Sequence, residues 1–380
     1  MGDRDHRQSG GVSRRAVLKT GAGAAGLAAL GIAMPQIARA KEPAELTMLA
    51  WYGHGEQDAV AEFEQRFNVK IRPKYYVGGD QMLALMAQSP PGTYDIIHAD
   101  AEYVAQLWEA GFIERLNPAD YPFDDFWPEL QRFEGHWFDG QLYAVMTRFG
   151  FLGISHNIDA LPEREARSYR VLWDPKVKGR LGHLDWHLPN VACVSLFNGN
   201  KAPFDLTAAA WAKTQSTLLS LKPQARGIYD YGGLLSALKT GEVAVVPGIG
   251  DWITGVLARD GARVTTTIPE EGGLQFTESF SIGRGSRRAD LAKAFIQYAL
   301  SPEGQVRQAM LKAYPALIPS KSGWKRLNDH HPDEAKRQRM LLNGPNAMDD
   351  IRQGRIHIRR LPVRQSLEEW NDLWSRYKNA

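Results

Sequence analysis

The sequence contains a single cysteine, Cys193, among 380 residues. One cysteine excludes an internal disulfide, a cysteine-ligated iron–sulfur cluster and a CxxC redox centre. It also lies too far from the N-terminus to carry a lipid anchor there. The sequence likewise lacks a GxSxG elbow, an HExxH helix, a GxGxxG turn after a strand and a P-loop. These absences leave little support for hydrolytic, zinc-dependent, dinucleotide-dependent or nucleotide-hydrolysing chemistry.

An excess of positive charge is also missing from most of the chain. The formal net charge is +3, but residues 1–40 contain six Lys/Arg against two acids, which leaves 40 basic and 41 acidic residues elsewhere. A nucleic-acid-binding domain normally carries a basic excess in its folded part, so we expect no nucleic-acid partner. The 43% hydrophobic and 23% charged residues are typical of a globular protein, and the length predicts two domains.

The N-terminus has the pattern of an export signal. Arg14 and Arg15 precede an uncharged stretch, 20–38, and the small residues Ala38 and Ala40 flank an arginine. The arginine pair resembles the twin-arginine signal. Glycines and a proline interrupt the stretch, which argues against the alternative of a membrane-spanning helix. We expect the twin-arginine translocase to export the chain, cleavage after about Ala40 and a periplasmic mature protein.

Beyond the signal, strand and helix patterns alternate. A buried run at Leu46–Trp51 precedes a helical face at Val60, Phe63 and Phe67, and the alternation resumes after Gly150. Further strands are predicted at 69–71, 94–98, 151–155, 181–184, 243–246, 264–268 and 273–282, and further helices around 82–86, 103–108, 206–221, 292–300 and 303–311. This order predicts an α/β protein with a mainly parallel sheet and two lobes.

Aromatic residues stand beside carboxylates after several predicted strands. Open α/β sheets bind ligands beyond the carboxyl ends of their strands, and rings with carboxylates are suited to an ammonium group. The alternative is that the rings are core residues and the acids are helix N-caps, and it stays open at each position. The candidate ligand-binding residues from this pattern are Trp51, Tyr52, His54, Asp100, Glu102, Asp185, Trp186, Asp251, Trp252, Phe276 and Glu278.

A set of short motifs, in a fixed order along the chain, points to one particular protein family. They are Leu49-Ala-Trp51, 63–71, 94–97, 109–113, 172–179, 239–243, 270–273 and Tyr314-Pro315. With them the chain resembles an extracellular solute-binding protein of an ABC importer, in the group of the spermidine/putrescine-binding proteins. The resemblance implies a type II periplasmic binding protein fold that closes over a small molecule. It also implies delivery to ABC permease subunits, a monomer, and no enzyme activity, cofactor or metal.

The resemblance also implies lobe boundaries and residue roles. Residues 41–150 plus about 275–315 form lobe 1, and 151–274 plus about 316–380 form lobe 2. The family's pocket tryptophan matches Trp51, its return-strand carboxylate Glu278, its tyrosine before proline Tyr314 and its late glutamine His357. The loop after its third strand falls near Asp100 and Glu102.

Several departures bear on the ligand. The family's acidic pair aligns with Trp186 and Pro189, and Arg148 stands where those proteins have an uncharged residue. Arg355, His357 and Arg359 alternate as on an extended segment and add positive charge. Loss of acids and gain of arginine favour a ligand with an amine and a carboxylate, or another anion, over a long polyamine.

Three alternatives remain open at this point. Arg148 either clamps a ligand carboxylate or forms an ion pair within the protein. The ligand is either a zwitterionic or anionic solute, or a true polyamine. The rival class is a metal- or cofactor-dependent periplasmic enzyme, for which His183 and His187 are four residues apart. The surrounding sequence reads as strand and loop, so we expect these two histidines to diverge.

Overall fold

The computed structural model describes residues 42–380, and these lie within one compact unit. The predicted export signal, with Arg14, Arg15, Ala38 and Ala40, lies outside the described residues. In the part of the chain that is described, no helix is both long and apolar enough to cross a membrane.

Twelve strands are formed by the described residues. They are β1 (Ala44–Ala50), β2 (Val69–Tyr75), β3 (Ile96–Asp100), β4 (Trp137–Phe138), β5 (Gln141–Leu142), β6 (Val145–Asn157), β7 (Leu181–Leu184), β8 (Ala225–Tyr229), β9 (Val245–Gly250), β10 (Val264–Thr267), β11 (Gly273–Ile282) and β12 (Ile356–Ile358). The predicted strands are confirmed, with ends shifted by two or more residues at β1, β2, β3, β6 and β9. β6 begins earlier than predicted because Arg148, which interrupts its apolar run, is itself buried.

Thirteen α-helices accompany these strands between residues 42 and 380. They are α1 (Gln57–Phe67), α2 (Gly79–Gln88), α3 (Val104–Glu109), α4 (His187–Phe197), α5 (Ala208–Leu219), α6 (Tyr231–Thr240), α7 (Asp251–Arg259), α8 (Ala289–Leu300), α9 (Pro302–Ala309), α10 (Lys321–His330), α11 (Pro332–Arg337), α12 (Met348–Arg352) and α13 (Leu367–Asn379). The predicted helices are confirmed. α4 begins within the range predicted as loop, where the Asn190 side chain donates to the carbonyls of Leu184 and Trp186 and fixes the entry turn.

Ten of the strands join into one continuous sheet. Its order is β2-β1-β3-β11-β6-β9-β7-β8, with β10 paired to β6 and β12 to β11. Pairing is parallel among β1, β2 and β3 and among β7, β8 and β9, as the alternation predicts. At the centre, β6 and β11 run antiparallel to each other and to their neighbours β3 and β9. The prediction of a mainly parallel sheet is therefore wrong at the centre, because the two long strands that join the halves run in opposite directions.

Hydrophobic packing follows the two halves of the sheet. One large core includes Leu46, Phe63, Phe280 and Trp324, and a second includes Leu188, Val245 and Trp370. The C-terminal region is divided between them, since 317–348 supplies side chains to the first core and 370–377 to the second. We therefore propose to extend lobe 1 to include the segment around 317–348, and to keep α13 in lobe 2.

The two central strands approach each other closely at Gly150. A Cβ atom at this position would lie 2.5 Å from the ring of Phe276 on the opposite strand. The missing side chain lets the Phe276 ring lie flat over β6, so glycine here is a packing requirement. Gly150 and Phe276 are two residues from Arg148 and Glu278 respectively, and side chains two apart on a strand share a face. All four positions therefore belong to one face of the sheet.

Candidate functional site

Polar side chains meet where strands from both halves reach the centre of the sheet. Glu278 on β11 lies opposite Asp100 at the end of β3 on one side and opposite Arg148 on β6 on the other. His54 follows β1, the neighbour of β3, and His98 lies within β3. The sheet register therefore brings together residues that are far apart in sequence. This region is the candidate ligand site.

A buried ion-paired group, the Glu278 cluster, comprises His54, His98, Arg148, Glu278 and Tyr314. Arg148 Nε lies 2.7 Å from Glu278 Oε2, and the Nε2 atoms of His54 and His98 lie 3.3 Å and 3.7 Å from the same oxygen. The Tyr314 hydroxyl donates to Glu278 Oε1 at 3.1 Å. Both oxygens of the carboxylate therefore lie next to a donor or a cation.

Charges inside the Glu278 cluster compensate one another. Burial alone raises the pKa of Glu278, but the Arg148 guanidinium and the imidazoles outweigh it and hold the pKa below its ordinary value. Burial lowers the pKa of His54 and lowers that of His98 further. At neutral pH, one carboxylate and one guanidinium therefore carry the charge and the imidazoles are neutral.

Arg148 is held in place on all sides. Its guanidinium carbon lies 4.2 Å from the centre of the Tyr314 ring, and its Nη1 and Nη2 donate to the carbonyls of Gln308 and Tyr314 at 3.0 and 3.3 Å. The side chain is fully buried. Of the two alternatives for Arg148, the structure displays the internal ion pair, with no donor directed into open space.

His54, His98 and Glu278 are the one group of described residues that could hold a metal ion, with ligand atoms within 4.8 Å of one another. The Arg148 guanidinium is already 2.7 Å from the shared carboxylate oxygen. A divalent cation between these ligands would face a fixed positive charge at that distance, in a buried site where repulsion is poorly screened. The chemistry of the donor set therefore fits an ion-paired cluster better than a metal centre.

A second buried group, the Arg359 cluster, comprises Asp100, Glu102, Trp186 and Arg359. Arg359 Nε donates to Glu102 Oε1 at 2.6 Å, and Nη2 lies 3.1 Å from Asp100 Oδ2. The guanidinium carbon lies 4.4 Å from the Trp186 ring centre. Burial raises the pKa of Asp100 to about 8, although Arg359 opposes the shift. Two carboxyl groups and one ring, each predicted to bind the ligand, therefore meet here, and the chain's own guanidinium lies between them.

A cavity of about 540 Å³, here called the central cavity, opens on the face of the sheet that carries Gly150 and Phe276. Its other aromatic lining residues are Phe151 and Trp252, and three consecutive threonines, 265–267, add hydroxyl groups. It is rich in charges of both signs. The charged lining residues are Glu163, Arg167, Asp251, Glu270, Arg337, Arg339, Asp350 and Arg355.

The predicted site residues divide among these three places. His54, Arg148, Glu278 and Tyr314 meet in the Glu278 cluster; Asp100, Glu102 and Trp186 meet around Arg359; Asp251, Trp252 and Phe276 line the central cavity. Trp51 packs on Tyr76 with ring centres 4.9 Å apart.

Besides Trp51, three predicted residues lie outside these groups. Tyr52 is 60% exposed. Asp185 accepts a hydrogen bond from the Trp374 indole and pairs with Lys378 at 3.1 Å, so it anchors α13. His357 is half-buried beside Gly272. His183 bonds Asn190 and Tyr377 within the core, and its divergence from His187 stays a prediction.

His98 and Arg337 are site residues that sequence reasoning missed. His98 lies inside a strand that reads as apolar, and only its position next to the strand end could have marked it. Arg337 reaches the central cavity from a helix far along the chain and pairs with Asp251 at 2.5 Å. Arg355 and Arg359 had a signal, namely their alternation around the extended segment that forms β12.

An α/β fold of two halves with a charged site between them is the architecture of a ligand-binding protein. Residues 58–325 match the family described as bacterial extracellular solute-binding protein, and the chain belongs to this family. It falls in the polyamine-binding-like group of ABC-transporter solute-binding proteins. A putrescine/cadaverine-binding protein of Pseudomonas aeruginosa is 23% identical over 279 residues, which are 70% of this chain and 77% of that protein.

Solved structures show the same fold. The spermidine/putrescine substrate-binding protein PotD of Streptococcus pneumoniae superposes with a TM-score of 0.72 and 15% identity, covering 88% of this chain and 99% of that chain. The periplasmic binding protein MotA of A. tumefaciens B6, solved with glucopine, gives a TM-score of 0.64 and 17% identity, with coverage of 88% and 99%. At these identities the likeness establishes the fold, a type II periplasmic binding protein with a ligand cleft.

Proposed function

We propose that this protein is a periplasmic receptor that delivers a small solute carrying both an ammonium and a carboxylate group to the permease of an ABC importer. The observation that carries the proposal is the central cavity, whose lining presents acids and arginines together with aromatic rings. A zwitterion such as an amino acid or an opine-like conjugate satisfies both signs of charge at once. A ligand of one sign would leave either Asp251 Oδ2 or Arg355 Nε, both buried without a hydrogen-bond partner among the described residues, without a contact.

The cationic end of the ligand is best accommodated at Asp251 and Trp252. Asp251 Oδ2 is buried and has no hydrogen-bond partner among the described residues, while Oδ1 pairs with Arg337. Burial raises the pKa of Asp251, which Arg337 only partly offsets. An ammonium group bound here would gain a charge-assisted hydrogen bond and lie next to the indole ring.

The anionic end is best accommodated at the arginines of the cavity lining. Arg339 and Arg355 both pair with the single carboxylate of Asp350, which leaves a net positive charge there. Arg355 Nε is buried without a hydrogen-bond partner in the described chain. Arg167, also in the lining, has no ion-pair partner among residues 42–380. Guanidinium groups with free donors suit a carboxylate.

A diamine or polyamine is the second candidate ligand. It is supported by the printed names of relatives such as the putrescine/cadaverine-binding protein, and the unpaired Asp251 oxygen would serve it equally well. Against it, Arg359 fills the pocket formed by Asp100, Glu102 and Trp186. The comparisons offer no support for the rival class of a periplasmic enzyme, and we carry the expectation of a non-catalytic receptor forward.

Isothermal titration calorimetry with a panel of ligands tests the proposal. The panel contains ω-amino acids, opines, putrescine, spermidine and dicarboxylates. We expect binding of a zwitterion that weakens at least tenfold in both Asp251→Asn and Arg355→Gln, since each removes one charged contact worth about 1.5–3 kcal/mol. Asp260→Asn, an exposed acid just after α7, is the matched control and should leave affinity unchanged. Binding only of diamines, with Arg355→Gln silent, would favour the second candidate.

Export to the periplasm is proposed from the N-terminal signal alone. Mass spectrometry of the protein purified from the periplasm should give a chain that begins at Lys41. Replacement of Arg14 and Arg15 by lysine should retain the protein in the cytoplasm. Secretion that continues after this replacement would exclude the twin-arginine route.

A further inference from the structure

The Arg359 cluster has the composition of a ligand subsite rather than of an ordinary core ion pair. Its acids, Asp100 and Glu102, follow β3 in the first half of the sheet, and Trp186 precedes α4 in the second half. The Arg359 guanidinium lies between them and contacts all three. A bound organic cation would bridge the two halves in the same way, through carboxyl groups and an aromatic face.

The guanidinium reaches this position from a tethered strand. β12 pairs with the start of β11, and the Arg359 backbone amide donates to the Gln275 carbonyl at 2.9 Å. The side chain then enters the pocket and is 3% exposed. The strand pairing holds the guanidinium at a high effective concentration, so an external cation has to displace a group that does not diffuse away.

We propose that Arg359 is a specificity-determining residue: it occupies a latent organic-cation subsite formed by Asp100, Glu102 and Trp186 and bars external ammonium or guanidinium groups from it. The inference rests on the proposed function, because it states which part of the binding region an external solute cannot use. It explains how a chain with polyamine-binding relatives would reject the second charged end of a long polyamine.

The geometry selects the cation that the vacated subsite would take. Nε faces Glu102 and Nη2 faces Asp100, so two adjacent donors of one planar group meet two carboxyl groups. A guanidinium supplies this fork, whereas an ammonium supplies a single point charge. In Arg359→Ala the missing atoms are those of ethylguanidinium, which is therefore the matched probe.

The experiment is calorimetric titration of ethylguanidinium, at millimolar concentrations far below those that denature proteins, into five forms of the full mature chain. We expect Arg359→Ala to bind it at least tenfold more tightly than wild type. Two variants should not gain binding. Arg359→Met fills the space without charge, and Arg359→Ala/Glu102→Gln removes the main carboxylate partner. Arg360→Ala, the exposed neighbour that pairs with Glu134, is the surface control. Ethylammonium should bind Arg359→Ala more weakly than ethylguanidinium does.

Equal binding of ethylguanidinium to Arg359→Ala and Arg359→Met would overturn the proposal. If Arg359→Ala does not fold alone, refolding with and without ethylguanidinium replaces the titration: the folded fraction, followed by circular dichroism, should rise with ethylguanidinium and not with ethylammonium. An unchanged fraction overturns the proposal equally. Binding of zwitterions to the wild-type protein is measured separately. If wild type binds no zwitterion but Arg359→Ala gains ethylguanidinium binding, the result counts against the proposed function alone.

Discussion

Arg148→Met is the substitution that separates a structural role of the Glu278 cluster from a ligand-binding one. Arg148 is fully buried and lies 2.7 Å from Glu278 Oε2. Methionine keeps an apolar stem of similar reach but removes the guanidinium, which leaves the Glu278 carboxylate buried without its cation. Breaking a buried ion pair from one side costs about 3–5 kcal/mol. A ligand clamp would instead lose affinity and leave stability nearly unchanged.

The size of the expected shift in melting temperature follows from the length of the folded chain. Roughly 340 residues with about 2.1 cal/mol/K each give an unfolding entropy near 0.7 kcal/mol/K. A loss of about 3–5 kcal/mol therefore lowers Tm by roughly 4–7 °C. In the variant, burial raises the pKa of Glu278 above its value in the unfolded chain, so the penalty is largest at high pH. It shrinks as pH falls and the carboxylate, or the adjacent His54, takes up a proton.

Differential scanning calorimetry at pH 8 and pH 5.5 measures both effects. Arg263→Met breaks an exposed pair with Asp159 and is the matched control, for which we expect less than about 0.5 kcal/mol. The double variant Arg148→Met/Glu278→Leu should be more stable than Arg148→Met because no charge is left buried. The reasoning is refuted if Arg148→Met is no less stable than Arg263→Met, or if its deficit grows at the lower pH.

Three further predictions concern the scaffold. Burial lowers the pKa of His183 from 6.5 to about 4, so the neutral ring stabilises the fold above pH 6.5, and this contribution of about 3 kcal/mol is lost towards pH 4. Urea unfolding at pH 7 and pH 4.5 measures the loss of unfolding free energy on acidification. This loss should be smaller in His183→Gln than in wild type or in the exposed control His331→Gln. Ser366→Ala removes the N-cap of a capping box on α13 and should cost about 1 kcal/mol in urea unfolding, and a change below a few tenths would contradict the capping contact. Gly150→Ala places a Cβ 2.5 Å from an aromatic ring and should cost about 1–3 kcal/mol, whereas Gly232→Ala, which meets open space, should be neutral or stabilising by the same measurement.

The order of strands and helices could be predicted because it depends on local periodicity. Buried runs such as Leu46–Ala50 and the spaced rings Phe63 and Phe67 identify a strand and a helix face without knowledge of any partner. The motifs that mark the family are local too, and the match over 58–325 confirms the resemblance. The largest error at a strand end falls at β6, where a buried polar residue, Arg148, interrupts the apolar pattern.

The site was only partly predictable because proximity along the sequence does not determine which side chains meet. The strand-end carboxylates and rings stay a predicted ligand-binding set, of which Asp100, Glu102 and Trp186 come together around one guanidinium. Their partner, Arg359, is 257 residues from Glu102. Its charge was expected near the site, but its role as occupant of the pocket depends on the pairing of β12 with β11.

The sequence by itself determined the fold class and the family, because burial periodicity and short motifs are properties of neighbouring residues. Only the tertiary structure decided which charges neutralise each other. Sheet register joins Arg148 to Glu278 across 130 positions and leaves Asp251 Oδ2 unpaired in the central cavity. The physical reason is that an ion pair depends on distances of a few ångströms and on burial, and both are set by strand pairing between distant segments.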